Sequence, residues 1–396
     1  MPIRDLGPKG QPIQIKTSND SGMGEAPPPG PPIPPIALPP PGRWNRFKRF
    51  LRTHRTRIII ILGLLIIAPT ATWAYIQYTK PITPVSSDVK VKKKPKPPVP
   101  TTKPSPLTGV EVEPALADRA IRAIVVENSP EARPQSGLSQ AGVVYEALAE
   151  GGITRFLTFF LEGQPPSIGP VRSLRPYFND WTLEFNSPIS HAGGSAEALG
   201  QVGPLKVKSI NALAGGNNQY FTRSGDRAAP HNLYTNSAAQ DQLLQAKGYA
   251  QPATFTPNPR KKDEPPATPA HTIISINYSY SGFQVEYHYN KPCNCYDRFM
   301  AGAPHIDRNT GAQIQVKNVV IQYMSVGYDS TGHAIIGLLG TGKTVVLRDG
   351  GSVEGTWSKA TYEQRTKLLD PAGKEIPLNK GNTWFSIVPD SRPISY

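Results

Sequence analysis

Cysteine is nearly absent: Cys293 and Cys295, one residue apart in KPCNCYDR, are the only two in 396 residues. Two thiols build neither a Cys-rich zinc site nor a disulfide framework, and C-x-C is not the C-x-x-C spacing of a redox helix. They read as a small disulfide across a turn or as exposed thiols. Acidic residues are equally scarce at the start. Residues 1–106 hold 17 Lys+Arg against 4 Asp+Glu, whereas 107–396 hold 26 against 25, so nearly all of the net +14 belongs to the leading segment. A near-neutral body with one basic tail argues against a nucleic-acid-reading fold.

The basic tail precedes a run that lacks charge altogether. Ile58 to Tyr78 has 21 uncharged, mostly apolar residues, enough to cross about 30 Å of hydrocarbon, and is expected to be a single transmembrane helix. Arg43, Arg46, Lys48, Arg49, Arg52, Arg55 and Arg57 crowd its N-terminal side, which places the N-terminus in the cytoplasm and the bulk of the chain outside. Half of the prolines, 22 of 44, fall in residues 1–106. Residues 1–57 therefore read as an unfolded cytoplasmic tail and 79–106 as a semi-rigid spacer.

Residues 107–396 are long enough for two domains. Apolar patterning stops between 254 and 269, which sets expected boundaries of 107–253 for an α/β domain and 270–392 for a β-rich one, an α+β class overall. In the first, RAIRAIVVEN reads as a buried strand and SQAGVVYEALAEGG as a helix capped by Ser139 and stopped at Gly151. ITRFLTFFLEG and PSIGPVRSLRPY read as two strands, followed by helices near 195–202 and 237–248. In the second, Phe283, Val285, Tyr287 and Tyr289 alternate onto one face of a strand, and four further strand patterns follow. Gly337 to Thr344 matches G-x-x-x-x-G-K-[ST], but VVLRDGG after it is a strand and a turn; without a helix to hold phosphates the string reads as a hairpin turn, with no ATP.

Between 131 and 235 the chain uses Arg, Gly, His and Asn in a density that a packed core does not require. Planar guanidinium groups beside tight glycine turns suit an anionic ligand. The candidate ligand-binding residues are Arg155, Arg172, Arg175, His191, Gly193, Gly194, Arg227, His231 and Asn232. Glu146 and Glu150, four apart on the expected helix, are candidates for a Mg²⁺ site or for pairing with the arginines, as is Asp180 for pairing. His305 and Asp307 read as a metal pair or as the polar end of a hairpin.

EARPQSGLSQAGVVYEALAEGGITRFLTFF, IGPVRSLRPYF, HAGGS and APHNLYT, with FMAGAPHIDRNTGAQIQVKNVV and LRDGGSVEGTWSKA downstream, resemble the bacterial YerB-like lipoprotein family over about 107–390. The resemblance implies a two-domain envelope protein of a family without an established activity. Such lipoproteins attach through a lipidated Cys, for which the apolar helix would substitute here. A looser resemblance is to LytR-CpsA-Psr phosphotransferases: Arg155 opens ITRFLTFF, Arg172 and Arg175 end GPVRSLRP, and Gly193-Gly194 precede a helix. That family grips a lipid-linked pyrophosphate with arginines and a Mg²⁺ held by Asp; here no Asp follows Arg155, and Ser173 stands where one would be. The leading expectation is binding of an anionic, phosphate-bearing envelope ligand in an Arg-lined cleft. The alternatives are Mg²⁺-dependent transfer of a pyrophosphate-linked glycan and a non-enzymatic envelope scaffold.

Overall fold

The computed structural model describes residues 44, 48, 51–79 and 101–396, which fall into two compact units, Met1–Lys94 and Pro95–Tyr396. The first holds a helix, α1 (Arg55–Tyr78), which contains the uncharged run with Pro69 inside it. Among the described residues no helix is long and apolar enough to cross a membrane. The side chains of 58, 59 and 61–67, the most apolar turns of α1, lie outside the description, as do most of the tail and of the 79–106 spacer.

The second unit is mixed α+β and rich in sheet. Its first half supplies β1 (Arg122–Glu127), β2 (Val143–Leu148), β3 (Thr154–Phe160), α2 (Pro176–Glu184), β4 (Ile189–His191), α3 (Ala196–Gln201), β5 (Ser209–Asn211), the short pair β6 (Thr222–Arg223) and β7 (Leu233–Tyr234), and α4 (Ser237–Ala246). The second half supplies β8 (Ile273–Asn277), β9 (Gln284–Asn290), β10 (Cys295–Met300), β11 (Asn318–Met324), β12 (Gly340–Arg348), β13 (Gly351–Lys359), β14 (Lys367–Leu369) and β15 (Thr383–Pro389). Ten strands form one sheet in the order β14-β13-β12-β11-β15-β2-β3-β1-β4-β5. The halves join where β15 pairs parallel to β2, Thr383 opposite Val143 through Ser386 opposite Glu146.

The segments 107–253 and 270–392 thus share one sheet within one compact unit rather than each closing its own core. An aromatic column makes the same connection. Phe385 of β15 stacks on Tyr145 of β2 at 4.5 Å, and Tyr145 stacks on Trp181 of α2 at 4.7 Å. A smaller sheet centred on β9 buries Phe283, Val285 and Tyr287 by the expected alternation.

Three expected elements differ. VVYEAL is a strand, not a helix: β2 lies between β15 and β3 with all six residues buried. A strand covered on both faces has no polar stripe, so its run carries no period to separate it from a buried helix. Ser139 is not a cap; its backbone N–H and hydroxyl donate to the Asp307 carboxylate at 2.8 and 2.7 Å. Gly151, at φ +58°, sits in the β2–β3 hairpin turn, a conformation that favours glycine. PSIGPVRSLRPY is an extended loop whose backbone pairs with the sheet through isolated bridges such as Val126–Val171, and α2 begins at its last proline. The helices expected near 195–202 and 237–248 are α3 and α4, capped by Ser195 and Asn236. The G-x-x-x-x-G-K-T string is not itself a hairpin turn: Gly340 to Thr344 already lie in β12, the turn to β13 follows at 349–350, and Lys343 pairs with Glu354 on the surface of the β12–β13 ladder.

Candidate functional site

The arginines divide between two carboxylates. Arg155 on β3 and Arg175 at the start of α2 both grip Glu150 in the β2–β3 turn, Arg175 Nε at 3.0 Å; Arg155 also donates to the Ser173 carbonyl at 3.0 Å. Burial pushes the Glu150 carboxyl up, but the two guanidinium groups outweigh it and hold its pKa below the usual range. Arg155 and Arg175 are therefore buried internal partners of Glu150, not the walls of an open cleft.

Arg172 is placed differently. Its backbone N–H donates to the Val125 carbonyl at 2.9 Å, which turns its side chain to Glu127 at the end of β1, Nε 3.0 Å from Oε1 as an ion pair in which the Nε–H is not aligned for a hydrogen bond. His231 Nδ1 lies 3.0 Å from the same oxygen, and the Ser129 hydroxyl donates to it at 3.0 Å. A carboxylate oxygen only accepts, so His231 carries its proton on Nδ1 and turns Nε2 outward. Glu127 is buried, and its second oxygen has no partner among the described residues. The terminal amino groups of Arg172 and Nε2 of His231 likewise make no hydrogen bond within the described residues, and both side chains are about a quarter exposed, at 25% and 23%.

His191, on β4, has neither nitrogen free. Nδ1–H donates to the Gly193 carbonyl at 2.7 Å and Nε2 accepts from Ser209 at 2.7 Å, while burial drives its pKa down to about 4. It is a neutral structural histidine. Gly193, at φ +67°, donates its N–H to Asn211, and Gly194 packs against Leu174 and Leu199. Arg227 donates to the Ala132 and Pro134 carbonyls at 2.7 and 2.8 Å and to the Tyr234 hydroxyl at 2.9 Å. Asn232 ties its own loop, accepting from Arg223 at 2.7 Å and donating to the carbonyls of Ser224 and Arg227 at 3.1 Å.

Neither candidate Mg²⁺ ligand suits a cation. Glu146 is fully buried on β2 against Arg298, with Thr154 and Trp384 donating at 2.9 and 3.1 Å, and Glu150 is held by two arginines. The expected helical spacing brought them together; on a strand and in a turn they part. Among the described residues no group of three His, Cys, Asp or Glu is placed to hold a metal ion. His305 accepts from Arg298 and donates to Gln135 at 2.9 Å, and burial, then Arg298, drive its pKa far down. Asp307 clamps the Gly137 and Ser139 amides. A disulfide joins Cys293 and Cys295.

Glu127, Ser129, Gln135 and Arg298 were not expected from the sequence. A carboxylate ending an apolar strand, as Glu127 ends RAIVVE, is the signal that was available. Asp180, expected to pair with the arginines, lies on α2, where burial raises its carboxyl to about 7. The folded state keeps a proton that the unfolded chain releases near pH 4, so Asp180 lowers stability increasingly as pH rises from about 4 to 7. Asp180→Asn is expected to raise unfolding free energy by roughly 1–4 kcal/mol at pH 8 and by almost nothing at pH 4. Urea titrations at the two pH values would refute this with equal gains.

The N-terminal domain model of a protein family of unknown function (DUF3048) matches residues 107–250, and its C-terminal domain model matches 274–385. The chain is 35% identical over 291 residues to a Bacillus subtilis (strain 168) protein named "Putative lipoprotein YerB", covering 72% of this chain and 86% of that one. The crystal structure of the YerB protein from Bacillus subtilis superposes with a TM-score of 0.67 at 34% identity, covering 74% of this chain and all of that one. Two domain models in order, a relative aligned over most of its length and a shared fold agree: the chain belongs to the YerB-like family, whose function is not established.

Proposed function

We propose that this chain is a membrane-tethered, extracytoplasmic envelope protein that binds an anionic, phosphate-bearing ligand at Arg172 and His231. The observation that carries the reading is their shared support. One buried carboxylate, Glu127, orients both side chains and leaves the terminal amino groups of Arg172 and Nε2 of His231 without internal partners. Groups held in this way are pre-organised for a phosphoryl oxygen, since a guanidinium edge offers two parallel donors. The tether rests on the uncharged run in α1 and its basic N-terminal flank. The word lipoprotein in the relative's name supports an envelope location. Mg²⁺-dependent glycan transfer finds no support in Glu146 and Glu150, which already serve arginines.

The test is the thermal shift of the full chain in detergent with a short-chain prenyl pyrophosphate. A ligand at 100 times its Kd adds about 2.7 kcal/mol, which for a domain of this size is a rise of several degrees. That rise is expected in the native chain and in Arg155→Lys, and is expected to disappear in Arg172→Gln. An equal rise in Arg172→Gln, or none in the native chain, would overturn the reading and favour the scaffold.

A further inference from the structure

A cleft of about 420 Å³ is lined by Ser136, Ser167, Thr222, Ser224, Tyr234 and Asn236 from the first family segment and by Arg308 and Asn309 from the second. It contains none of Arg172, His231 or Glu127, and its volume lies within the ~300–1,000 Å³ of small-molecule sites. We propose that it binds an acidic saccharide, with ring hydroxyls on the hydroxyl-lined wall and the acidic group toward Arg308 and Tyr234.

Three features support this class of ligand. The hydroxyls of Ser136, Ser167 and Thr222 make no hydrogen bond among the described residues, and none of the three is sealed from solvent. A wall hydroxyl that has no protein partner is open to donate to, and accept from, whatever enters the cleft. Tyr234 adds a directed donor. Its oxygen accepts from Arg227 at 2.9 Å and from Arg308 at 3.4 Å, so both lone pairs are engaged and its O–H remains to donate. Asn236 uses its carbonyl to cap α4 through the Ala239 amide, which leaves its NH₂ as a further donor. Alternating donors and acceptors match the several hydroxyls of a sugar ring better than they match a lipid or a planar base.

The acidic preference follows from the donors that face the cleft, Arg308 and the Tyr234 hydroxyl. Arg308 and Arg227 both reach the Tyr234 hydroxyl, and Asp226 is the carboxylate that pairs with Arg308. The buried Asp307 carboxylate holds the Gly137 and Asn309 amides beside the cleft, so with Asp226 the two arginines are balanced and the preference rests on donors rather than on surplus charge. A carboxylate or phosphate on the sugar accepts from the Tyr234 hydroxyl and from the Arg308 guanidinium.

Calorimetric titration of the full chain in detergent with N-acetylmuramic acid, glucose 6-phosphate, glucose and inorganic phosphate distinguishes the possibilities. Both acidic sugars are expected to bind about tenfold more tightly than glucose, and the tighter of the two identifies the acidic group. Arg308→Gln is expected to erase that preference, and Asp226→Asn to increase it. Ser136→Ala, which removes one oxygen and leaves the backbone in place, is expected to weaken every sugar by about fivefold or more. Inorganic phosphate binding as well as the acidic sugars would overturn the saccharide, as would affinities unchanged by Ser136→Ala or no binding at all. A failure of prenyl pyrophosphate to act through Arg172 leaves this result untouched.

Discussion

Arg298→Ala is expected to destabilise the Pro95–Tyr396 unit by about 3–5 kcal/mol, the cost of leaving a buried charge without its partner. Arg298 and Glu146 are both 0% exposed, and they join the two family segments. The guanidinium also donates to His305 and Tyr287 and lies 4.3 Å from the centre of the Trp384 ring. Without it, Glu146 keeps neutral donors only: Thr154, Trp384 and, at 3.5 Å, Asn128. Removing both charges is expected to recover most of the loss, because an uncharged pair of similar volume avoids the desolvation of two buried ions, and the amide of Glu146→Gln keeps an oxygen for the Thr154 and Trp384 donors. Urea unfolding of Arg298→Ala beside Glu146→Gln/Arg298→Met measures the difference. A single variant within about 1 kcal/mol of the native chain would mean that water or another cation reaches Glu146.

Lys359→Met is expected to cost about 3 kcal/mol or more for the same reason, with a local signature of its own. The Lys359 and Glu184 side chains are 1% and 2% exposed. Lys359 ends β13 and donates to the Tyr362 and Gln364 carbonyls at 3.2 and 3.0 Å, while Glu184 ends α2 and accepts from the Thr366 amide and hydroxyl at 3.1 and 2.9 Å. The pair therefore pins residues 360–366 to α2. Hydrogen exchange at the Thr366 amide is expected to rise before global unfolding does. Lys359 also opposes the upward displacement of Asp180, so its loss is expected to lift that carboxyl further above its native value of about 7. Unchanged exchange at Thr366, with unchanged stability, would show that Glu184 alone holds the segment.

Several features of the site follow from these same pairings. Arginines that looked like a ligand cleft in the sequence are internal when a glutamate lies opposite them, as Glu150 lies opposite Arg155 and Arg175. Arg172 escapes because its glutamate also supports a histidine, and three groups around one carboxylate oxygen leave outer edges unmatched.

Local chemistry was enough to place several parts of the molecule. The separation of a basic, proline-rich start from a near-neutral body depends only on composition. The alternation of Phe283, Val285 and Tyr287 and the helices near 195–202 and 237–248 depend on neighbours within a few residues, so they appear in the linear order. The candidate arginines, histidines and glycines were visible as residue types, but their roles were not. A guanidinium binds a ligand or a glutamate with the same hydrogen bonds, and the choice between them belongs to whichever carboxylate the fold brings near. VVYEAL became a strand because β15, more than two hundred residues later, covers its edge. Glu146 became a buried ion-pair partner because Arg298 arrives from the other segment. The saccharide cleft, assembled from residues near 136, 167, 222–236 and 308, exists only in three dimensions, because its walls come from stretches that no sequence period connects.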